Sequence, residues 1–162
     1  TIEKLELGTR ILLTLDLEQT YWRTFLNSCK LFPSALSFIL LLKSKGIVTA
    51  NITDLTAQIQ FRKLVYFGLD ELFNYVVTSE EAGKDKPNRQ PFELALKKLK
   101  VNPENVWMIG DDSKSDMAGA DLIGIKKIQK RHEGVKIIKD GPESPDLVFD
   151  HYDELITLIN SA

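Results

Sequence analysis

Val106-Trp107-Met108-Ile109-Gly110-Asp111-Asp112-Ser113-Lys114-Ser115-Asp116-Met117-Ala118-Gly119-Ala120 is the stretch that decides the fold of this 162-residue chain. It begins as an apolar run that stops at Gly110. It then sets Asp111, Asp112 and Asp116 close together, ahead of a small-residue segment. A short apolar run closed by glycine reads as a buried strand of an α/β sheet. The residues after it then form the loop at that strand's carboxyl end and the first turn of a helix, where open α/β sheets place their ligands. Three carboxylates this close repel one another unless a cation or solvent neutralises them. A hard cation such as Mg2+, which takes one or two carboxylates and keeps waters, suits the arrangement. An acidic helix start accounts for the same residues, because Asp is favoured at N-caps and in first turns. The stretch alone leaves both readings open.

Outward from it, strands and helices largely alternate from Pro33 to the end. Pro33-Ser34 opens a helix over Ser34–Lys43. Ile47–Thr53, rich in β-branched residues, reads as a strand. A helix follows from about Leu55 to Phe67, burying Leu55, Ile59, Leu64 and Phe67. Tyr75-Val76-Val77 is a short strand, and Ser79–Gln90 a polar loop. Pro91-Phe92 starts a helix with an apolar face through Phe92, Ala95, Leu96 and Leu99. After the acidic loop come a helix from about Ser115 to Leu122, a strand near Ile125–Ile128, and a charged loop over Arg131–Ser144. Leu147–Phe149 is a last strand and Asp153–Ile159 a last helix. Trp107 reads as core, His132 as a loop residue and His151 as a helix start. Such alternation predicts an α/β fold, a parallel sheet with helices on both faces.

The first 32 residues differ. From Ile11 onward, Ile11, Leu12, Leu15, Trp22, Phe25 and Leu26 share one helical face, with polar residues largely opposite. We therefore divide the chain into a helical segment, 1–32, and an α/β core, 33–162. A strand over Ile11–Leu15 ending at Asp16 is the competing reading.

Composition sets the bounds. Hydrophobic residues make up 43% and charged residues 27%, as in ordinary globular proteins. A net charge of −2 offers no electrostatic case for nucleic acid or an anionic membrane. One cysteine, Cys29, excludes an internal disulfide and fits a reducing compartment. No apolar run spans a bilayer and no signal peptide is visible, so the cytoplasm is the expected location. The chain begins at Thr1, which reads as a processed or incomplete chain.

In a parallel sheet the carboxyl ends of the strands share one edge, so Thr53, Lys86 and the Asp111/Asp116 pair are predicted to converge there. A hydroxyl, an ammonium and a metal-binding carboxylate together describe a phosphate pocket. Three motifs here resemble those of the haloacid dehalogenase (HAD) superfamily. They are Ile52-Thr53 at a strand end, Lys86-Pro87 ahead of a helix, and Gly110-Asp111 followed by Asp116. Lys86 is preferred to Lys84 because Pro87 follows it. The resemblance covers about residues 30 to 160. It implies a Rossmann-like core and Mg2+-dependent hydrolysis of a small phosphorylated metabolite through an aspartyl-phosphate. Thr53 and Lys86 would hold the phosphate, and Asp111 with Asp116 the Mg2+. Dehalogenation of a 2-haloacid, which needs no metal, is the alternative within the family, and the acidic motif of Gly110-Asp111 and Asp116 argues against it.

The family's first motif is a central strand followed by Asp-x-Asp-x-Thr, whose first Asp is the nucleophile. The candidate here is Thr14-Leu15-Asp16-Leu17-Glu18-Gln19-Thr20, with Glu18 in place of the second Asp and Gln19 where Gly usually permits the tight turn. Helical period favours the other reading: residues 2–27 resemble the end of a cap domain, and the first motif lies upstream. On that reading a catalytically incomplete, binding-only domain is the rival to an enzyme. Oligomeric state is left open.

Overall fold

A computed structural model describes residue 4 and residues 8–161; the remaining residues, which include the start of the predicted helical segment, lie outside the described set. Among the described residues no helix is long and apolar enough to cross a membrane. The chain divides into two compact units, Thr1–Leu31 and Phe32–Ala162.

The first unit carries α1, Ile11–Ser28. No proline or glycine interrupts that run, so its 3.6-residue period prevails and no strand ends at Asp16. None of its side chains is fully buried, and Leu12 is 83% exposed. Tyr21, Trp22 and Phe25 pack edge to face along it, with centroids 5.1 and 5.7 Å apart in the two pairs that Trp22 makes.

The second unit begins with α2, Ala35–Ser44, and alternates thereafter: β1 Ala50–Thr53, α3 Ala57–Tyr66, β2 Tyr75–Thr78, α4 Ser79–Ala82, α5 Arg89–Leu99, β3 Trp107–Gly110, α6 Ala118–Asp121, β4 Lys126–Lys130, β5 Leu147–Phe149 and α7 Tyr152–Ser161. β1 pairs with β2 in parallel, from Ala50 opposite Tyr75 to Thr53 opposite Thr78. β3 pairs with β4, and β4 with β5, also in parallel. The α/β architecture expected from the alternation is therefore present, but as a two-stranded and a three-stranded ladder.

Two apolar clusters cover opposite faces. Phe38 of α2 and Leu155 of α7 pack with Ile128 and Phe149, and Ile109 joins them. Phe92 of α5 packs with Ala120 and Ile125, joined by Ile52 and Met108. Met108 and Ile109 thus point to opposite layers, as successive strand residues must. Gly119 permits the close approach of α6 to α5, since a Cβ there would overlap the Phe92 ring.

Among the described residues β1 pairs with β2 alone and β3 with β4 alone. Between them lies a cavity of about 570 Å3 that both strands line. All four residues of β1 are only half-buried, whereas strands of a parallel sheet covered on both faces are normally buried.

Several expectations need correction. Leu55 lies outside α3, is 53% exposed, and holds a positive φ of 84°. Trp107 is 49% exposed and not core, and it lines the cavity. Ser79–Gln90 is not wholly loop: Ser79–Ala82 is a helical turn, capped by the Thr78 hydroxyl, which accepts from the Glu81 N–H at 3.2 Å.

Candidate active site at the carboxyl ends of the strands

β1 delivers Thr53 and then Asp54 to the carboxyl edge. The Thr53 hydroxyl makes a long bond to the Asp54 carbonyl, 3.3 Å. That same carbonyl accepts from Gln60 Nε2 at 2.6 Å, and the Asp54 carboxylate accepts the Lys86 N–H at 2.9 Å. These bonds hold the chain through the unfavourable backbone of Leu55, a kind of strain that concentrates at functional sites.

Lys86 is nearly buried, with 11% of its side chain exposed. Its ammonium donates to Asp116 Oδ1 at 2.7 Å and to the Ile52 carbonyl at 3.3 Å. Asp54 lies 3.9 Å away. Lys86 therefore sits beside the residue that precedes Thr53, and the Lys86-Pro87 peptide is cis. Lys84 is exposed.

Asp116 is buried, and both its oxygens are engaged. Oδ1 takes Lys86, while Oδ2 accepts the N–H groups of Asp111 and Asp112 at 3.1 and 3.3 Å. The carboxylate thereby ties the β3 loop to the Lys86 loop. Gly110 is required for this approach, since a Cβ would overlap the Asp116 carboxylate. After it the chain makes a wide turn, in which the Met117 N–H reaches back five residues to the Asp112 carbonyl at 3.2 Å. Such turns often mark functional sites. Asp112 is the cap of that turn, accepting from the Lys114 and Ser115 N–H groups at 2.8 and 3.2 Å.

Asp111 meets different surroundings. Its side chain is 56% exposed, and Oδ2 lies 3.1 Å from His132 Nε2. The His132 ring rests against Phe32, with centroids 5.1 Å apart. Behind the loop, fully buried Gln129 donates to the Asp111 carbonyl at 2.9 Å and to Ser113 Oγ at 2.9 Å. Burial raises the Tyr152 phenol above the usual tyrosine range, and the charge of Asp111 adds to the effect. Of the four residues picked from sequence, Lys86, Asp116 and Asp111 are linked by direct bonds, and Thr53 adjoins them through Ile52. His132, Gln129 and Asp54 are neighbours that sequence reasoning did not assign. Among the described residues no cluster of three or more His, Cys, Asp or Glu could hold a metal unaided.

The sequence profile of haloacid dehalogenase-like hydrolases matches residues 9–130. The chain belongs to that family. Among the relatives of this HAD-family chain, the ribulose-1,5-bisphosphate 5-phosphatase of Halopiger xanaduensis is 36% identical over 114 residues, which is 70% of this chain and 48% of that protein. The glyceraldehyde 3-phosphate phosphatase of Methanothermobacter thermautotrophicus is 34% identical over 116 residues, 72% and 51% of the two chains. The HAD-family chain thus spans about half the length of these curated relatives. Its fold superposes on the HAD phosphatase of Thermococcus onnurineus with a TM-score of 0.77, at 20% identity over 98% of this chain and 68% of that one. The Rossmann-like core expected from the motifs is the core of these proteins.

Proposed function

We propose that this site is the phosphate- and metal-binding part of a Mg2+-dependent phosphatase acting on a small phosphate monoester through an aspartyl-phosphate. The observation that carries the reading is the Asp116 carboxylate, which bonds both Lys86 and the Asp111 loop and so joins a cation and a solvent-exposed carboxylate at one sheet edge. The phosphatase names of the relatives support the substrate class.

In this reading the Lys86 ammonium and the Thr53 hydroxyl bind the phosphoryl oxygens, and Asp116 fixes Lys86 in place. The donors present are oxygens only, apart from His132, which suits a hard cation. Mg2+ takes few protein carboxylates beside waters and substrate oxygens, so Asp111 would hold it, with Asp116 supporting the loop. Bound there, the ion would offset phosphate charge. Asp16 sits within α1 and is not assigned as nucleophile. The helical segment before Phe32 is taken as the end of a cap.

The test is hydrolysis of p-nitrophenyl phosphate with and without Mg2+, in the native protein and in Asp111→Asn, Lys86→Met and Asp16→Asn variants. Mg2+-dependent turnover lost in the first two and kept in the third is expected. Loss of turnover on Asp16→Asn would overturn the assignment. The second reading, a domain that binds metal and phosphate without turnover, is favoured by the helical placement of Asp16. Calorimetric binding of Mg2+ with phosphate, in the absence of any hydrolysis, would establish it.

A further inference from the structure

Both ring nitrogens of His132 face oxygens that can only accept a hydrogen bond. Nδ1 lies 2.9 Å from the Glu133 carbonyl, and Nε2 lies 3.1 Å from Asp111 Oδ2. A neutral imidazole has one N–H to give. With that proton on Nδ1, directed at the carbonyl, the lone pairs of Nε2 and Oδ2 face each other. Such a pair repels until a positive charge joins it.

We infer that His132 Nε2 is a second protein ligand beside Asp111 Oδ2, and that this nitrogen makes the site prefer a first-row transition ion such as Co2+ to Mg2+. The inference rests on the assignment of Asp111 as a metal ligand and adds His132 to it. Two donors each about 2.1 Å from one ion and at right angles to each other stand about 3.0 Å apart. The separation present is 3.1 Å. An imidazole that ligates through one nitrogen ordinarily donates its other N–H to a carbonyl or carboxylate, the part that Glu133 plays here. Both donors are held from behind, the His132 ring by Phe32 and the Asp111 carbonyl by Gln129 Nε2. On the open side Asp111 is 56% and His132 30% exposed, which leaves room for waters and phosphate oxygens to complete the shell. Imidazole suits transition ions, whereas Mg2+ favours oxygen, so His132 discriminates between ions where a carboxylate alone does not. The competing state is a doubly protonated His132 paired with Asp111. A cation would have to displace that charge, so removing the ring nitrogens would then strengthen the binding of every cation.

The full chain at about pH 8, above the ordinary imidazole range, would be titrated with CoCl2 and with MgCl2 by calorimetry. Its imidazole C–H protons would be followed by NMR, with His151, the other of the two histidines, as internal reference. Co2+ should bind about tenfold or more tightly than Mg2+, and should shift and broaden the His132 signals well beyond those of His151. His132→Phe keeps a ring to pack against Phe32 and removes the nitrogens. It should weaken Co2+ about tenfold or more and leave Mg2+ within about threefold. Equal weakening of both ions would make His132 a support for Asp111 and overturn the inference. Tighter binding of both would do the same, by identifying the doubly protonated pair. The NMR arm needs no variant: Co2+ bound without a selective effect on His132 also overturns the inference. Mg2+ binding present in the native chain and lost in Asp111→Asn would in those cases leave Asp111 standing as a metal ligand. Binding of neither ion by the native chain would overturn both assignments.

Discussion

Asp111 and Asp116 lie five residues apart on one loop and meet opposite surroundings. Asp116 is buried with every oxygen bonded, so Asp116→Asn must turn an amide donor toward either Lys86 or the two loop N–H groups. A loss of about 3 kcal/mol in urea denaturation is expected, as for breaking a buried pair. Asp111→Asn alters a half-exposed group, so stability should stay within about 0.5 kcal/mol. Mg2+ affinity measured by calorimetry should nevertheless fall about tenfold or more. If both variants lost stability equally, the division between a supporting and a ligating carboxylate would fail. The motif residues were legible because their spacing is local. His132 was not, because a lone histidine in a charged loop carries no sign that it will face Asp111 from 21 residues away. Gln129 hid for the same reason: its partners, Asp111 and Ser113, belong to another strand's loop.

At the scale of the element, the wide turn after β3 stands on one cap. Asp112→Ala removes the acceptor for two N–H groups and should cost about 1 kcal/mol in thermal denaturation. Gly119→Ala pushes a methyl into the Phe92 ring and toward Pro87. It should cost about 1–3 kcal/mol as overpacking and disturb the Lys86-Pro87 loop with it. Element order was legible from the switch between strand and helix periods, while strand extent was not. Ile47–Thr53 looks like seven strand residues, yet only Ala50–Thr53 finds a ladder partner. The strand expected near Ile125–Ile128 runs over Lys126–Lys130, and four of its five residues, two lysines among them, are buried. Lys127 there reaches Asp121 at 2.6 Å, and Lys130 reaches the Asp150 carbonyl at 2.7 Å. Charge in a strand argues for exposure only until its partners are known.

For the whole molecule, hydropathy predicted layers without predicting that the sheet would stand in two parts, because strand order is a property of pairing. Alkaline pH should reveal how the layers hold together. Tyr152 packs against Phe38 and Phe149 and binds its proton more tightly when folded. Its contribution is thus full below about pH 10 and lost as pH rises through the higher folded value. Denaturation midpoints between about pH 9 and 11 should fall less steeply in Tyr152→Phe than in the native chain. The two-unit division carries a different consequence, in susceptibility to proteases. A helix of 18 residues that fully buries none of them gains little stability from burial, and local fraying offers a cleavable backbone. Brief trypsin treatment should therefore cut first after Arg23 or Lys30 and leave the α/β unit, beginning near Leu31, as the persistent fragment on a gel.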